Sequence, residues 1–361
     1  MLAAERRARI VAIARKEGAV GISRLVDILS VSHVTVRRDL DALVAERVLD
    51  KVRGGAILRS EAADSGQFGD AVPGPVGMVG VIVPTSYYYR QVVDGIGAAL
   101  ERAGGEMRLA ISDYDIDEER RLIAEFVDNG AAGLLWVPSV LEHNDHAASI
   151  DVLGPTGVPT VLVEREMPGG GLGELSTVRS AHERGVFSAM RHLHELGHRR
   201  IAMVSRGRTQ SADFVRAGWA DARERLGFDA DSPIIGRRQL GSDPTWPRGG
   251  SETVLDIIES SGSTALFSHG DENSLLLLLQ AARVRGITVP DDLSIVTYDD
   301  EFSAHANPPL SAVAPDRYRV GTLAVRLLRD RQLRPEDSSP LHVLVEPRLQ
   351  LRASTRPPKS R

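Results

Sequence analysis

From Met78 onward the chain alternates short apolar runs with amphipathic stretches, and no other feature restricts its fold as much. The runs Met78–Pro84, Met107–Ile111, Gly133–Val137, Thr160–Val163, Arg200–Val204, Thr264–Ser268 and Leu293–Tyr298 have strand length. Their near-continuous hydrophobicity is expected of strands buried on both faces. Between most of them lie stretches of helical periodicity, Tyr88–Ala103, Asp117–Asn129, His182–Leu196, Ala212–Leu226, Gly250–Ser260 and Glu272–Arg285. This alternation predicts an α/β fold with doubly wound parallel sheets. Ligands of such sheets bind beyond the carboxyl ends of the strands.

The first sixty residues follow a different pattern. They carry a net charge of +5, whereas the remainder carries −10, so only this end is expected to meet nucleic acid. Within it, Val31–Leu43 reads as a helix capped by Ser32, with Val36, Leu40 and Leu43 inward. His33, Thr35, Arg37 and Arg38 lie off that stripe, near the helix N-terminus. That is the end which enters the major groove in a helix-turn-helix protein. Such a segment alone is more often an ordinary amphipathic surface helix, but its surroundings reverse that preference in favour of the DNA-binding reading. Upstream are an amphipathic segment from Glu5 to Glu17 and a second short helix from Ser23 to Leu29. Downstream, Val48–Leu58 reads as two strands around Gly54-Gly55, with Lys51 and Arg53 placed for phosphate contacts. Three helices and a small wing make a winged helix.

The segment LVDILSVSHVTVRRDLDALVAERVLDKVRGGA resembles the DNA-binding domain of DeoR-family bacterial regulators. It departs from the pattern at Arg47, where that family usually has Gly. Residues 59–76 then have linker composition, rich in Gly, Ser, Asp, Ala and Pro. From residue 77, a series of motifs resembles the LacI/GalR effector-binding domain, which shares its fold with periplasmic sugar-binding proteins. They include VGVIVPTSYYYRQVVDGIGAALERAGGEMRLAISD, GLLWVPS, GVPTVLVER, HLHELGHRRIAMVS and TALFSHGDENSLLLLLQAARVRGITVPDDLSIVTYDD. The resemblance implies a two-lobed, periplasmic-binding-protein-like sensor over 77–356. By analogy one lobe takes 77–179 plus 315–333, the other 180–314 plus 334–356, and 357–361 are a disordered tail. The winged helix occupies 1–58. The pairing is unusual, since DeoR sensors usually resemble sugar-phosphate isomerases, and LacI-family proteins usually carry a hinge helix that this linker lacks.

The resemblance places effector contacts at Tyr88 and Tyr89 after the first strand, Asp113 after the second, Glu164 and Arg165 after the fourth, and Asp271 and Asp299 after two strands of the second lobe. Ser211 joins them, as does Trp246 in a Pro/Gly segment as a ring to cover a sugar face. Carboxylates and an Arg at strand ends suit vicinal hydroxyls. Family members usually carry a ligand-binding Arg where Val215 stands here, with Arg216 next to it.

Other chemistry is poorly supported. GIGAALERAGG lacks the third Gly of a dinucleotide fingerprint, and no HExxH, GxSxG or GxxxxGK[ST] occurs. His192, His194 and His198 do not share a helical face. We therefore expect no catalytic residues, no metal and no cofactor. Cysteine is absent, no apolar run exceeds the five residues of Leu275–Leu279, and the charged N-terminus has no apolar h-region. These features predict a cytoplasmic protein with no membrane partner. The expected function is a sequence-specific transcriptional regulator, by family default a repressor of carbohydrate-utilisation genes. Its partners are double-stranded operator DNA, a small sugar-like effector and a second copy in a homodimer. The alternatives are a soluble sugar-binding protein without a transcriptional role and a sugar-metabolising enzyme with a regulatory head.

Overall fold

The computed structural model describes residues 6–7, 9–11, 13–14, 19–29, 31–45, 49–52, 55–58, 76–139, 157–166, 175–205, 209–240, 249–270, 272–334 and 339–359. The chain divides into two units, Met1–Val72 and Pro73–Arg361.

In the first unit, helical residues between 6 and 14 precede β1 (Ala19–Gly21), α1 (Ile22–Leu29), α2 (His33–Ala45), β2 (Leu49–Val52) and β3 (Gly55–Leu58). Ile10, Ala14, Leu25, Leu29, Val36, Leu40 and Leu43 are buried together, so the inward stripe expected of the third helix does form the core. The wing differs from expectation. β2 and β3 pair antiparallel, and β1 adds a third, unforeseen strand on the other edge of β3. The second helix also begins at Ile22, one residue before the expected cap Ser23.

The described residues of the second unit form two six-stranded sheets. One has the order β14-β8-β7-β6-β4-β5, formed by β4 (Met78–Val83), β5 (Glu106–Ile111), β6 (Gly133–Trp136), β7 (Thr160–Val163), β8 (Ser176–Ser180) and β14 (His342–Val345), all parallel. Helices α3 (Ser86–Arg102) and α10 (Arg317–Leu333) cover one face, and α4 (Ile116–Asp128) covers the other. Asp115 starts α4 by accepting from the free amides of Asp117 and Glu118 at 2.9 and 3.2 Å. The α3 and α10 backbones approach so closely that a Cβ on Gly321 would stand 2.1 Å from the Val92 carbonyl.

The other sheet has the order β10-β9-β11-β12-β13-β15, from β9 (Ile201–Ser205), β10 (Ile234–Ile235), β11 (Ala265–His269), β12 (Ser294–Tyr298), β13 (Ser311–Ala314) and β15 (Arg348–Gln350). Only β15 runs antiparallel to its neighbour. Helices α5 (His182–Glu195) and α6 (Gln210–Leu226) cover one face; α8 (Gly250–Ser261) and α9 (Glu272–Val284) cover the other, with the single turn α7 (Arg237–Leu240) beside them. α6 ends at Gly227 with φ +68°, the left-handed conformation that glycine adopts at least cost.

This is the expected α/β arrangement of two doubly wound lobes. The chain passes between the lobes after β8, after β13 and between β14 and β15. The third passage falls at Glu346-Pro347, not near residue 334, because β14 pairs with β8 and so belongs to the first lobe. The end of the chain also departs from expectation. Residues 357–359 lie along the second lobe: the Arg356 carbonyl accepts from His198 Nε2 at 2.9 Å, and Lys359 pairs with Asp292 at 2.6 Å.

Candidate functional site

Two surfaces hold groups that the core does not use. The first is the outer face of α2. Ser32 Oγ accepts the Thr35 amide at 3.2 Å and lies 2.9 Å from the Thr35 hydroxyl, closing the first turn as a cap. His33, Val34, Arg37 and Arg38 are exposed, and Thr35 is half-buried. Asp39, on the opposite side, is buried against Arg6, which donates from Nη2 at 3.1 Å and also pairs through Nε. The ion pair therefore ties α2 to the leading helix and leaves the Arg37–Arg38 face outward. Lys51 lies on β2, and Arg53 lies outside the described residues.

The second surface is the cleft between the lobes, where strand ends of both sheets meet. Four non-glycine residues have positive φ among the described residues: Asp113 (49°), Tyr114 (63°), Glu164 (56°) and Asp299 (79°). All follow the carboxyl ends of β5, β7 or β12. Such backbone costs roughly 1–3 kcal/mol per residue and concentrates where a site needs a fixed geometry.

Glu164 forms the buried centre. Its carboxylate accepts from the Ser180 amide and hydroxyl, each at 2.9 Å, and lies 3.6 Å from His182 Nε2. Burial alone would raise this carboxyl, but the His182 ring and the Ser180 donors outweigh it and hold it down at about 2. His182 Nδ1 meets the Tyr298 hydroxyl at 2.5 Å, and the His269 ring stands edge-on to Tyr298 at 5.4 Å. Burial, helped by the neighbouring His182 and Arg216, lowers His269 to about 3, so its imidazole is neutral at neutral pH. Arg317, on the passage after β13, pairs with Asp299 and donates to Glu301 at 3.0 Å, while its guanidinium covers the Tyr88 ring at 4.2 Å. Arg179 donates to Glu183 at 2.7 and 2.9 Å and to Glu166 at 2.5 Å, and sits 3.8 Å over the Phe214 ring.

The residues expected from sequence are thus distributed unevenly. Tyr88, Glu164 and Asp299 converge in this cluster. Arg165 is buried beside it and donates to the Glu164 carbonyl at 2.9 Å. Asp113 is exposed at the end of β5. Ser211, in the first turn of α6, meets the Thr209 hydroxyl at 2.7 Å. Tyr89 is 1% exposed and belongs to the core of the first lobe, with its ring edge-on to Tyr88 at 5.0 Å; as part of that packing it is a poor ligand contact. Trp246 and Asp271 lie outside the described residues. Sequence reading missed His182, Phe214, His269, Tyr298, Arg179 and Arg317. Arg317 follows β13, a strand that the apolar pattern did not mark, so strand-end logic did not reach it. Val215 is wholly buried, whereas Arg216 places Nη1 3.5 Å from Ser205 at the end of β9. His192, His194 and His198 diverge: His192 meets Thr355, His194 packs on Phe228, and His198 meets Thr264 and Arg356. Among the described residues no helix is long and apolar enough to cross a membrane.

A winged helix with an outward polar face, followed by two doubly wound lobes around a polar cleft, defines a chain built from a nucleic-acid-binding head and a ligand-binding body. Comparison with known proteins agrees with both parts. The model of the DeoR-like helix-turn-helix domain matches residues 6–62, and that of the periplasmic binding protein-like domain matches residues 190–355. The chain is 26% identical over 284 residues to the HTH-type transcriptional regulator DegA of Bacillus subtilis, covering 78% of this chain and 81% of that protein. It is 28% identical over 282 residues to the HTH-type transcriptional repressor CytR of Escherichia coli, covering 76% and 78% respectively. Among solved structures, the transcriptional regulator CelR–cellobiose complex superposes with a TM-score of 0.64 at 23% identity, over 90% of this chain and 91% of that one. A LacI family regulator from Enterococcus faecium with bound ribose gives 0.62 at 23% identity, over 78% of this chain and 100% of that one. The chain therefore joins a DeoR-like helix-turn-helix domain to a periplasmic-binding-protein-like domain.

Proposed function

We propose that this protein is a sequence-specific DNA-binding transcriptional regulator whose operator affinity is modulated by a small sugar-like effector held between the lobes. One observation carries the reading: a single chain presents the exposed His33, Arg37 and Arg38 side chains on a winged helix and, in its other unit, a cleft floored by oriented carboxylates, imidazoles and aromatic rings. Arg37 and Arg38 supply base or phosphate contacts, and Ser32, His33 and Thr35 line the same face. In the cleft, Glu164 and Asp299 accept hydrogen bonds from ligand hydroxyls, Arg317 donates, and Tyr88 and Phe214 offer ring faces to the apolar side of a sugar. The bound ribose and cellobiose of the structural neighbours support that ligand class. Repression is the mode that the likeness to the repressor CytR supports, and carbohydrate-utilisation genes are the targets that a sugar-like effector suits. Two copies act together, because one winged helix reads too few base pairs for useful specificity.

The test is a gel shift with the DNA upstream of the protein's own gene, with and without candidate sugars and nucleosides. A specific complex that one of them weakens or strengthens is expected. Absence of any specific complex across that DNA would refute the regulatory reading. A ligand specific to the folded state adds about 2.7 kcal/mol at a hundredfold excess over Kd, so a thermal-shift screen finds it independently.

A further inference from the structure

Gln210 and Glu166 make a connection between the lobes that the covalent chain does not require. Gln210 opens α6 in the second lobe, and Glu166 lies three residues past β7 in the first. The Gln210 side-chain amide pairs with the Glu166 main chain at both ends: Oε1 accepts from the Glu166 amide at 2.7 Å, and Nε2 donates to its carbonyl at 2.6 Å. Glu166 is also fixed through its carboxylate, which accepts from Arg179 Nε at 2.5 Å. Arg179 in turn is anchored to Glu183 and lies on Phe214, the residue one helical turn after Gln210. The three passages of the chain can act as hinges, and their own contacts can survive a rotation. The Glu166–Gln210 pair lies on none of them, so separation of the lobes must break it.

We propose that Gln210 is a positioning residue that latches the two lobes together before any ligand enters, and thereby sets the resting opening of the cleft. This rests on the sensor reading given above, and concerns the regulation of that site. The latch biases the equilibrium between open and closed lobes. A ligand that needs the closed form binds more weakly by the factor by which the closed population falls. Two hydrogen bonds of ordinary net strength shift such an equilibrium by on the order of ten- to a hundredfold.

The chain contains no cysteine, so Glu101→Cys and Glu224→Cys, at exposed positions on α3 and α6, take two spin labels at defined sites. Pulsed dipolar spectroscopy on the full chain, without added ligand, reads the distance between the lobes. The parent is expected to give one narrow distribution, and Gln210→Ala a second, separated population. Gln210→Glu keeps an acceptor for the Glu166 amide but loses the donor, and is expected to give a smaller second population. A Gln210→Ala distribution that superimposes on the parent, in protein that unfolds at the parental midpoint, overturns the proposal. If Gln210→Ala does not fold, an unchanged distribution in Gln210→Glu overturns it. Gel shifts on the unlabelled parent separate the two ideas: failure to bind operator removes the regulatory reading and leaves the latch standing, whereas operator binding with unmoved distances removes the latch alone.

Discussion

Replacing Arg37 and Arg38 together by Ala isolates the proposed DNA contacts from folding. Both side chains are exposed on α2, and the ion pair that anchors this helix, Arg6–Asp39, lies on its other side. Ala is at least as good a helix former as Arg, so stability should change by no more than about 0.5 kcal/mol. A side chain reading a base edge contributes about 1–3 kcal/mol of discrimination, which puts the double change at roughly 2–6 kcal/mol per half-site. An arginine that contacts only phosphate weakens all sequences alike and lowers the salt slope by about one. Fluorescence anisotropy with operator and scrambled duplexes, across a salt series, measures both quantities, and thermal unfolding of the same samples monitors the fold. Specific affinity is expected to fall by more than tenfold with the unfolding midpoint unmoved. Unaltered operator affinity would refute the placement of DNA on this face, and equal losses of affinity and stability would mean that the arginines serve the fold.

Three further outcomes follow from the second unit. His269 is held neutral at about 3, while in the unfolded chain it takes up a proton below about 6.5. Its contribution to stability is therefore complete above pH 6.5 and is lost as pH falls, by about 2–3 kcal/mol between 6.5 and 4.5. Urea unfolding across that window should show His269→Gln losing less stability than the parent, and parallel pH profiles would contradict this. Gly321→Ala would bring a Cβ against the Val92 backbone. It should destabilise the sensor unit by about 1–3 kcal/mol or more, and a calorimetric midpoint equal to the parent's would show that the α3–α10 contact yields freely. Asp299→Ala should abolish the thermal shift given by the effector while leaving operator binding intact; a retained shift would remove Asp299 from the site.

The regular alternation after Met78 made most of both sheets legible, because apolar runs of strand length separated by amphipathic helices have few other ways to bury themselves. The strands it did not reveal are instructive. Ser176–Ser180 is buried throughout yet has only one aliphatic side chain, Val178. Its polar groups are satisfied by distant partners: Ser176 Oγ accepts from the Leu341 amide, Thr177 meets His342, Arg179 meets Glu166 and Glu183, and Ser180 meets Glu164. No local pattern reports such bonds. The same holds for β13, β14 and β15, which are short and find their places only by pairing, and the late third passage between the lobes follows from that.

The outward face of α2 was legible residue by residue, since a cap, an inward stripe and outward charges are properties of one helix. The cleft was legible only in outline. Tyr88, Glu164 and Asp299 follow strands that the pattern located, and the family resemblance singled them out there. His182, Phe214 and Tyr298 carry no local mark, and they converge because separate elements end at the same place. Tyr89 shows the reverse: one residue along a helix rotates a side chain by roughly 100°, enough to take it from the cleft into the core. Sequence alone was enough for the two kinds of domain, their order and the outward face of α2, because those depend on periodicity and capping within single elements. The tertiary structure alone decided which carboxylates pair with which arginines, which ring lies under which cation, and where the lobes touch, because each of these joins residues far apart in the chain.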